Sequence, residues 1–403
     1  MFDRQFFRRL RSHLLPAALV AAASLSLAAV PSAVAQTIVT TQSLPGQVDG
    51  FDGNSDEFIW RLLVKQIAVP VNPGQPTPAT FETWASDADV FTQTPHFPGI
   101  TEPHKFRSSL LGAAVNAQNG GANSTVCNTP AGPANPFIGG FPTSTTPTTC
   151  IAEEVKRNRP EYDYIVNNNL YTQAGLAAAF QRSFVVNMPA ASISVKGDWI
   201  PVSTLIEWIP QLGNQTNVEK QYFTITLNGV GFALVSMHVS SKQNEKWVWG
   251  TFEHQMNPGR CDYLGCYDTY GAIDRAVPPN RRTYNTQYGE CRKNPALRNM
   301  MARGGLSPVW LNYCLKGTMV NFTSYGDRPS SLGNSVTEGI NAGVSVVAAS
   351  CITCHAYAAF GSNGSASPAA LAMLNQNPTG QLNPGVFAGA RTYDFMWGFL
   401  LAP

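Results

Sequence analysis

Charge is scarce in this chain, and balanced where it occurs. Asp, Glu, Lys and Arg make up 13% of 403 residues, and 27 Lys+Arg stand against 25 Asp+Glu. No basic excess is left over to grip nucleic acid or an anionic membrane surface, so neither is expected as a partner. Several short catalytic patterns are missing as well. There is no phosphate-cradling glycine loop, no His-Glu-x-x-His and no Ser/His/Asp order that stands out as a triad. These absences argue against nucleotide-dependent, metalloprotease and serine-hydrolase chemistry. No internal repeat is visible. Past the first 35 residues, no stretch reaches the roughly 18 uninterrupted apolar residues of a spanning helix.

What the chain has begins at its N-terminus. "MFDRQFFRRLRSHLL" sets Arg4, Arg8, Arg9 and Arg11 against one acid, Asp3. An apolar run interrupted by Pro16 follows, then "PSAVAQT", with Ala33 and Ala35 in an A-x-A pattern. Basic, apolar and small-residue regions in that order predict a secretory signal peptide over 1–35, cut near Ala35. The Arg8–Arg9 pair hints at twin-arginine export, but its flanking residues fit general secretion better. The protein is expected in the periplasm or outside the cell, and removal of the signal leaves it near neutral.

That compartment governs the eight cysteines. Thiols in an oxidising compartment pair unless other chemistry claims them. Cys351 and Cys354 stand with His355 in "SCITCHAYAAF", a C-x-x-C-H pattern. The remaining six are Cys127, Cys150, Cys261, Cys266, Cys291 and Cys314. An even remainder fits three disulfides, and pairing of neighbours (127 with 150, 261 with 266, 291 with 314) is the simplest of the 15 connectivities.

Gly (34) and Pro (29) are abundant and point to a loop-rich chain. Helical spacing is read over 56–71, 78–91 and 161–180, with a long irregular excursion over 95–150. The stretches 191–202, 221–241 and 246–254 are β-branched and aromatic, the signature of an antiparallel sheet. Residues 255–334 read as Pro-, Gly- and Asn-rich loop. "GNSVTEGINAGVSVVAASCITCHAYAAF" returns to helix, with Ser335 and Glu338 as a capping box. The expected fold is α+β. An antiparallel sheet forms the core of residues 36–334, with peripheral helices and disulfide-pinned loops. Residues 335–403 form a haem c-bearing helical segment packed on it.

C-x-x-C-H suits covalent haem because two thiols one turn apart meet the two vinyl groups, and the adjacent histidine reaches the iron. Ala348, Ala349, Ser350 and Ala356 are small enough for a porphyrin to approach closely. A thioredoxin-like pair would need a strand before the motif and a helix after it, whereas helical material precedes it here. Zinc would need two further ligands, and residues 356–403 hold neither Cys nor His. Only 48 residues follow His355, too few for a small class I cytochrome domain with a downstream methionine. Met396, Met373 and His254 are candidates for the sixth iron position, with His238 a further rival from the sheet; an open face is the remaining option. Asp262, Asp268 and Asp274 read as loop residues rather than a calcium site.

"ETWASD", "SVKGDWIPV", "SMHVSSK", "WVWGTFEH", "NSVTEG", "SCITCHAYA" and "YDF" together resemble exported bacterial cytochrome c family proteins. In these a V-K-x-x-W strand and a W-x-W-x-T-F-E-H strand precede a single C-terminal C-x-x-C-H. The resemblance spans roughly residues 55–400. It implies haem c and electron transfer to a redox partner protein, and carries no substrate with it. It also maps Lys196, Trp199, Glu253 and His254 to family positions, with a pocket over the haem as one role and sheet stabilisation as the other. The tail departs: "DFMW" stands where the group has a D-F-S-like ending, so the resemblance does not extend to Met396 as a ligand. The leading expectation is a monohaem c-type cytochrome that transfers single electrons. The alternatives are a haem oxidoreductase or peroxidase with an open iron face, using His254 or Glu253 as acid/base, and a non-catalytic haem-based binding module.

Overall fold

Seven antiparallel strands carry the fold. The computed structural model describes residues 50–403 apart from 76, 101, 103, 106–151, 228, 281–285, 341–347 and 375. The expected signal peptide (1–35), Cys127, Cys150 and most of the 95–150 stretch lie outside the described residues. The strands are β1 (Ala85–Ser86), β2 (Ala152–Arg157), β3 (Ile193–Pro201), β4 (Thr224–Leu227), β5 (Val230–Ser241), β6 (Val248–His254) and β7 (Tyr313–Met319). They run in the order β1-β2-β3-β5-β6-β7, and β4 pairs with the first part of β5. The α+β reading with an antiparallel sheet therefore holds. Among the described residues, no helix is long and apolar enough to cross a membrane.

The period-two alternation of the strands sorts their side chains onto two unlike faces. Val195, Met237, Val239, Val248, Phe252 and Leu315 point to one side and are buried with α1 (Ser55–Leu62). Asn54 caps α1 by accepting from Glu57 N at 3.2 Å, and Asp56 and Glu57 suit the positive end of the helix dipole. Its apolar side, Phe58, Ile59, Trp60 and Leu62, is buried, worth roughly 1.5–3 kcal/mol per side chain. Trp60 meets Phe252 edge-on at 4.9 Å. The helix sits this close because residue 250 is glycine: a Cβ there would stand 2.7 Å from Ile59 Cγ2.

The opposite face is polar, yet it too is buried. Glu153, Asp198, Ser236 and Glu253 share one register row, and Val155, Lys196, His238 and Thr251 the next. Bulges at Asp198/Trp199 and Thr251/Phe252 keep the two faces sorted along their strands. The C-terminal residues cover this face.

Besides the two-residue β1, which lies in a stretch read as helix, two strands escape the sequence reading for a physical reason. In β2 every residue is buried, including Glu153, Glu154, Lys156 and Arg157, so charge at core positions hides the strand. β7 lies inside the stretch read as loop, and Lys316 and Gly317 interrupt its alternation. The stretch 221–241 divides into β4 and β5, with Gly229 at φ 79° in the connection between paired Leu227 and Val230. Two expected disulfides form, Cys261–Cys266 and Cys291–Cys314.

On the core side of β2, His104 bridges two carboxylates. Its Nδ1 lies 2.6 Å from Glu154 and its Nε2 3.1 Å from Glu82. Lys156 also pairs with Glu154, at 3.1 Å. Burial disfavours the charged imidazole, but the two carboxylates outweigh it and hold His104 up to about 9.

Two predictions follow from these contacts. Gly250→Ala forces Ile59 off the sheet and is expected to cost about 1–3 kcal/mol, read as a lower urea midpoint at unchanged slope. The His104 cluster is fully stabilising below pH about 6.5 and loses that contribution as pH rises through about 9. The difference in unfolding free energy between wild type and His104→Gln is expected to shrink over that interval, and a difference that stays flat would contradict the charged bridge.

Candidate functional site

The C-x-x-C-H motif opens a helix of its own. Ser350 has extended backbone (φ −143°, ψ 98°) and bridges in parallel to Leu332, and the helix runs Cys351–Ala356. The motif is expected on or just after a helix; it lies on one, in its first turn, and residues 341–347 ahead of it lie outside the described residues. The preceding cap is also shifted by one residue. Asn334 Oδ1 accepts from Val336 N at 2.9 Å and Thr337 N at 3.2 Å, and Asn334 N donates to Glu338, whereas Ser335 turns to Glu253. Strand-like backbone followed by a helix is also how a redox dithiol is built, so helix order does not separate the two chemistries. Neither thiol is poised as a reactive thiolate. Burial pushes Cys354 up to about 12 and Cys351 well above the ordinary thiol range. A redox or nucleophilic pair needs the reverse shift. The two remain unpaired, while the other four described cysteines are in disulfides.

His355 is held from behind. Its Nδ1 lies 2.8 Å from the Phe395 carbonyl, which fixes that nitrogen as the donor. Asp394 (φ 53°) and Phe395 (φ 70°) both adopt left-handed backbone, which for phenylalanine is an outlier that its surroundings must enforce. They do so through Lys242 at the end of β5, whose Nζ pairs with Asp394 Oδ1 at 2.6 Å, while Met188 N donates to Oδ2 at 2.6 Å. Trp397 Nε1 donates to the Cys354 carbonyl at 3.0 Å. Residues 394–397 thus brace the back of the motif helix, and Trp249 of β6 stands 4.6 Å from the His355 ring.

Cys351, Cys354 and His355 share one cavity with the polar face of the sheet. Leu371, Leu374 and Leu400 make its lining apolar on the C-terminal side; Lys196, His238 and Glu338 face them from the other. His238 Nε2 is sealed from solvent and has no hydrogen-bond partner; Glu338 Oε1 lies 3.7 Å from it. Burial pushes His238 well down and Glu338 up to about 7, so the imidazole is neutral at ordinary pH. Lys196 pairs with Glu153.

The other sequence candidates separate by place. Met396 lines the cavity. Met373 is half-buried against the C-terminal apolar cluster and is not among the lining residues. His254 is on the apolar side of β6. It stacks on Tyr222 at 3.5 Å, its Nε2 bonds the Gln221 carbonyl at 3.0 Å, and its Nδ1 accepts from Met256 N at 3.2 Å. Trp199 packs in the core below the sheet. Glu253 is fully buried and lies outside the cavity lining. Its carboxylate takes Ser335 N at 2.8 Å, the Ser335 hydroxyl and Lys316 Nζ at 2.9 Å. Asp262, Asp268 and Asp274 serve separate partners: Tyr288 OH at 2.6 Å, Trp60 Nε1 at 2.9 Å and Arg292 at 3.3 Å. Sequence reasoning passed over Lys242 and Asp394, although both lie within quoted stretches, and read Glu338 as a helix cap without placing it at the cavity. The Lys242–Asp394 pairing across 152 positions has no local signal.

Glu253→Gln leaves Lys316 buried without its counter-charge and is expected to destabilise by about 3–5 kcal/mol. In urea unfolding, Glu253→Gln/Lys316→Met should lose less than the sum of the two single variants. Additive losses would show that the pair is not coupled.

Compared with known proteins, the chain matches no family model, no curated protein and no solved structure.

Proposed function

We propose that this protein is an exported monohaem c-type cytochrome that passes single electrons to and from a redox partner protein. The observation that carries the reading is the convergence of two unpaired thiols and an oriented imidazole on one cavity, in a chain whose other described cysteines are bridged. The donor set suits haem c. Cys351 and Cys354, one turn apart, would hold the vinyl-derived carbons as thioethers, and His355 Nε2 would take the iron. Once bound, the haem supplies a reversible one-electron ferric/ferrous couple.

The remaining residues act on that couple through their own chemistry. The Phe395 carbonyl, fixed by the Lys242–Asp394 pair, holds the proton on His355 Nδ1, which leaves the lone pair on Nε2 and raises its basicity. Trp249 and the leucines that line the cavity would keep water from a haem held there. Lys196 and Glu338 would set the local charge around it, and through that its potential. The N-terminal pattern and the two disulfides are consistent with maturation outside the cytoplasm, where haem c is attached in bacteria.

Expression of the full chain in a host with haem-attachment machinery tests the reading. The wild-type protein is expected to stain for haem on a denaturing gel, and Cys351→Ala/Cys354→Ala is expected to lose the stain. An unstained wild type under conditions that mature a control cytochrome would overturn the proposal.

A further inference from the structure

We infer that His238 supplies the second axial nitrogen to the iron bound by His355, so that the sheet itself closes the sixth coordination position; this rests on the haem reading above. His355 Nδ1 points at the Phe395 carbonyl. The iron-binding Nε2 lies across the imidazole ring from Nδ1, so it faces away from the segment that carries Met396. That segment is pinned further by Trp397 Nε1 on the Cys354 carbonyl at 3.0 Å. Met396 lines the cavity, but from the strand of chain that backs the motif helix. The opposing ligand must come from the other wall.

That wall is the polar face of the sheet, and its lining residues differ in what they can give an iron. Arg157 has no lone pair to donate and is held by Asp87 and Glu161. Lys196 is ion-paired with Glu153. Serine hydroxyls are weak ligands for haem iron. His238 is different: its Nε2 is buried in the cavity wall and has no hydrogen-bond partner. An unsatisfied buried nitrogen carries a desolvation penalty, and a bond to iron would remove it. Its strand position is also fixed on both sides, because His238 pairs with Lys196 on β3 and Thr251 on β6. With two imidazoles on the iron no position is open, which favours an electron carrier over a peroxidase or a ligand-binding module.

The test uses the haem-loaded wild type with His238→Ala, His238→Gln and Met396→Leu. The wild-type ferric spectrum is expected to be low-spin and to lack the far-red thioether-to-iron band, and the reduced protein should not bind carbon monoxide. Both His238 variants should keep the covalent stain, become high-spin and bind carbon monoxide, with free imidazole restoring the low-spin form. Met396→Leu should leave the spectrum unchanged. If the His238 variants do not accumulate, near-infrared magnetic circular dichroism of the wild type distinguishes two imidazoles from imidazole plus thioether. The inference falls if the His238 variants stay low-spin, if Met396→Leu alone turns high-spin, if the dichroism shows a thioether, or if stained wild type is high-spin. A wild type without covalent haem overturns the functional reading instead.

Discussion

A sheet face that carries Glu153, Lys196, Asp198, His238, Thr251 and Glu253 cannot be covered by ordinary apolar packing. A carboxylate or ammonium moved out of water without a partner costs several kcal/mol, so whatever lies over this face must bring hydrogen bonds. The 334–338 segment does. Ser335 meets Glu253, Thr337 and Ser236 meet Asp198, and Asn334 reaches Thr251 and the Phe252 carbonyl. These bonds fix where the C-terminal region crosses the sheet. The apolar cluster around Trp249, Ile352, Tyr393 and Trp397 then closes the remainder, leaving a cavity where neither kind of packing is complete. The thiols, His355 and His238 all border that gap.

The same constraint reaches the motif by a longer path. Lys242 leaves the end of β5 and pairs with Asp394, which lies 152 residues away in sequence. That pair helps hold two consecutive residues in left-handed backbone, and the second of them offers its carbonyl to His355. Ring orientation is therefore set by the sheet through a charge pair, not by the motif helix alone. Such backbone persists only where surrounding contacts over-determine it, and here it stands beside the chemistry. Glu253, one candidate acid/base, and His254, the other, both belong to the scaffold: the first fastens the covering segment, and the second fills its two ring bonds below the sheet.

Much of the architecture could be read from local pattern. β3, β5 and β6 announce themselves by β-branched and aromatic alternation, and two disulfides follow from simple neighbour pairing. β2 could not be found this way, because Glu154 and Lys156 take positions that a sequence reading reserves for apolar side chains. The motif was plain as C-x-x-C-H, but its place at the start of a helix was not, since the small and β-branched residues before it fit a continuous helix equally well. The supporting shell was least legible. Lys242 and Asp394 are ordinary charged residues until the fold joins them, and Glu338 reads only as a helix cap. Local spacing could not separate Met396 from His238; the proposal for His238 draws on the side of His355 on which the Phe395 carbonyl lies.

The central claim is that Cys351 and Cys354 end as thioethers in this cavity. Mass spectrometry of a proteolytic digest of the non-reduced mature protein tests it directly. The peptide spanning Cys351 to His355 should carry the added mass of one haem and resist alkylation at both cysteines. A peptide at its bare polypeptide mass, or lighter by the two hydrogens of a Cys351–Cys354 disulfide, would contradict the account.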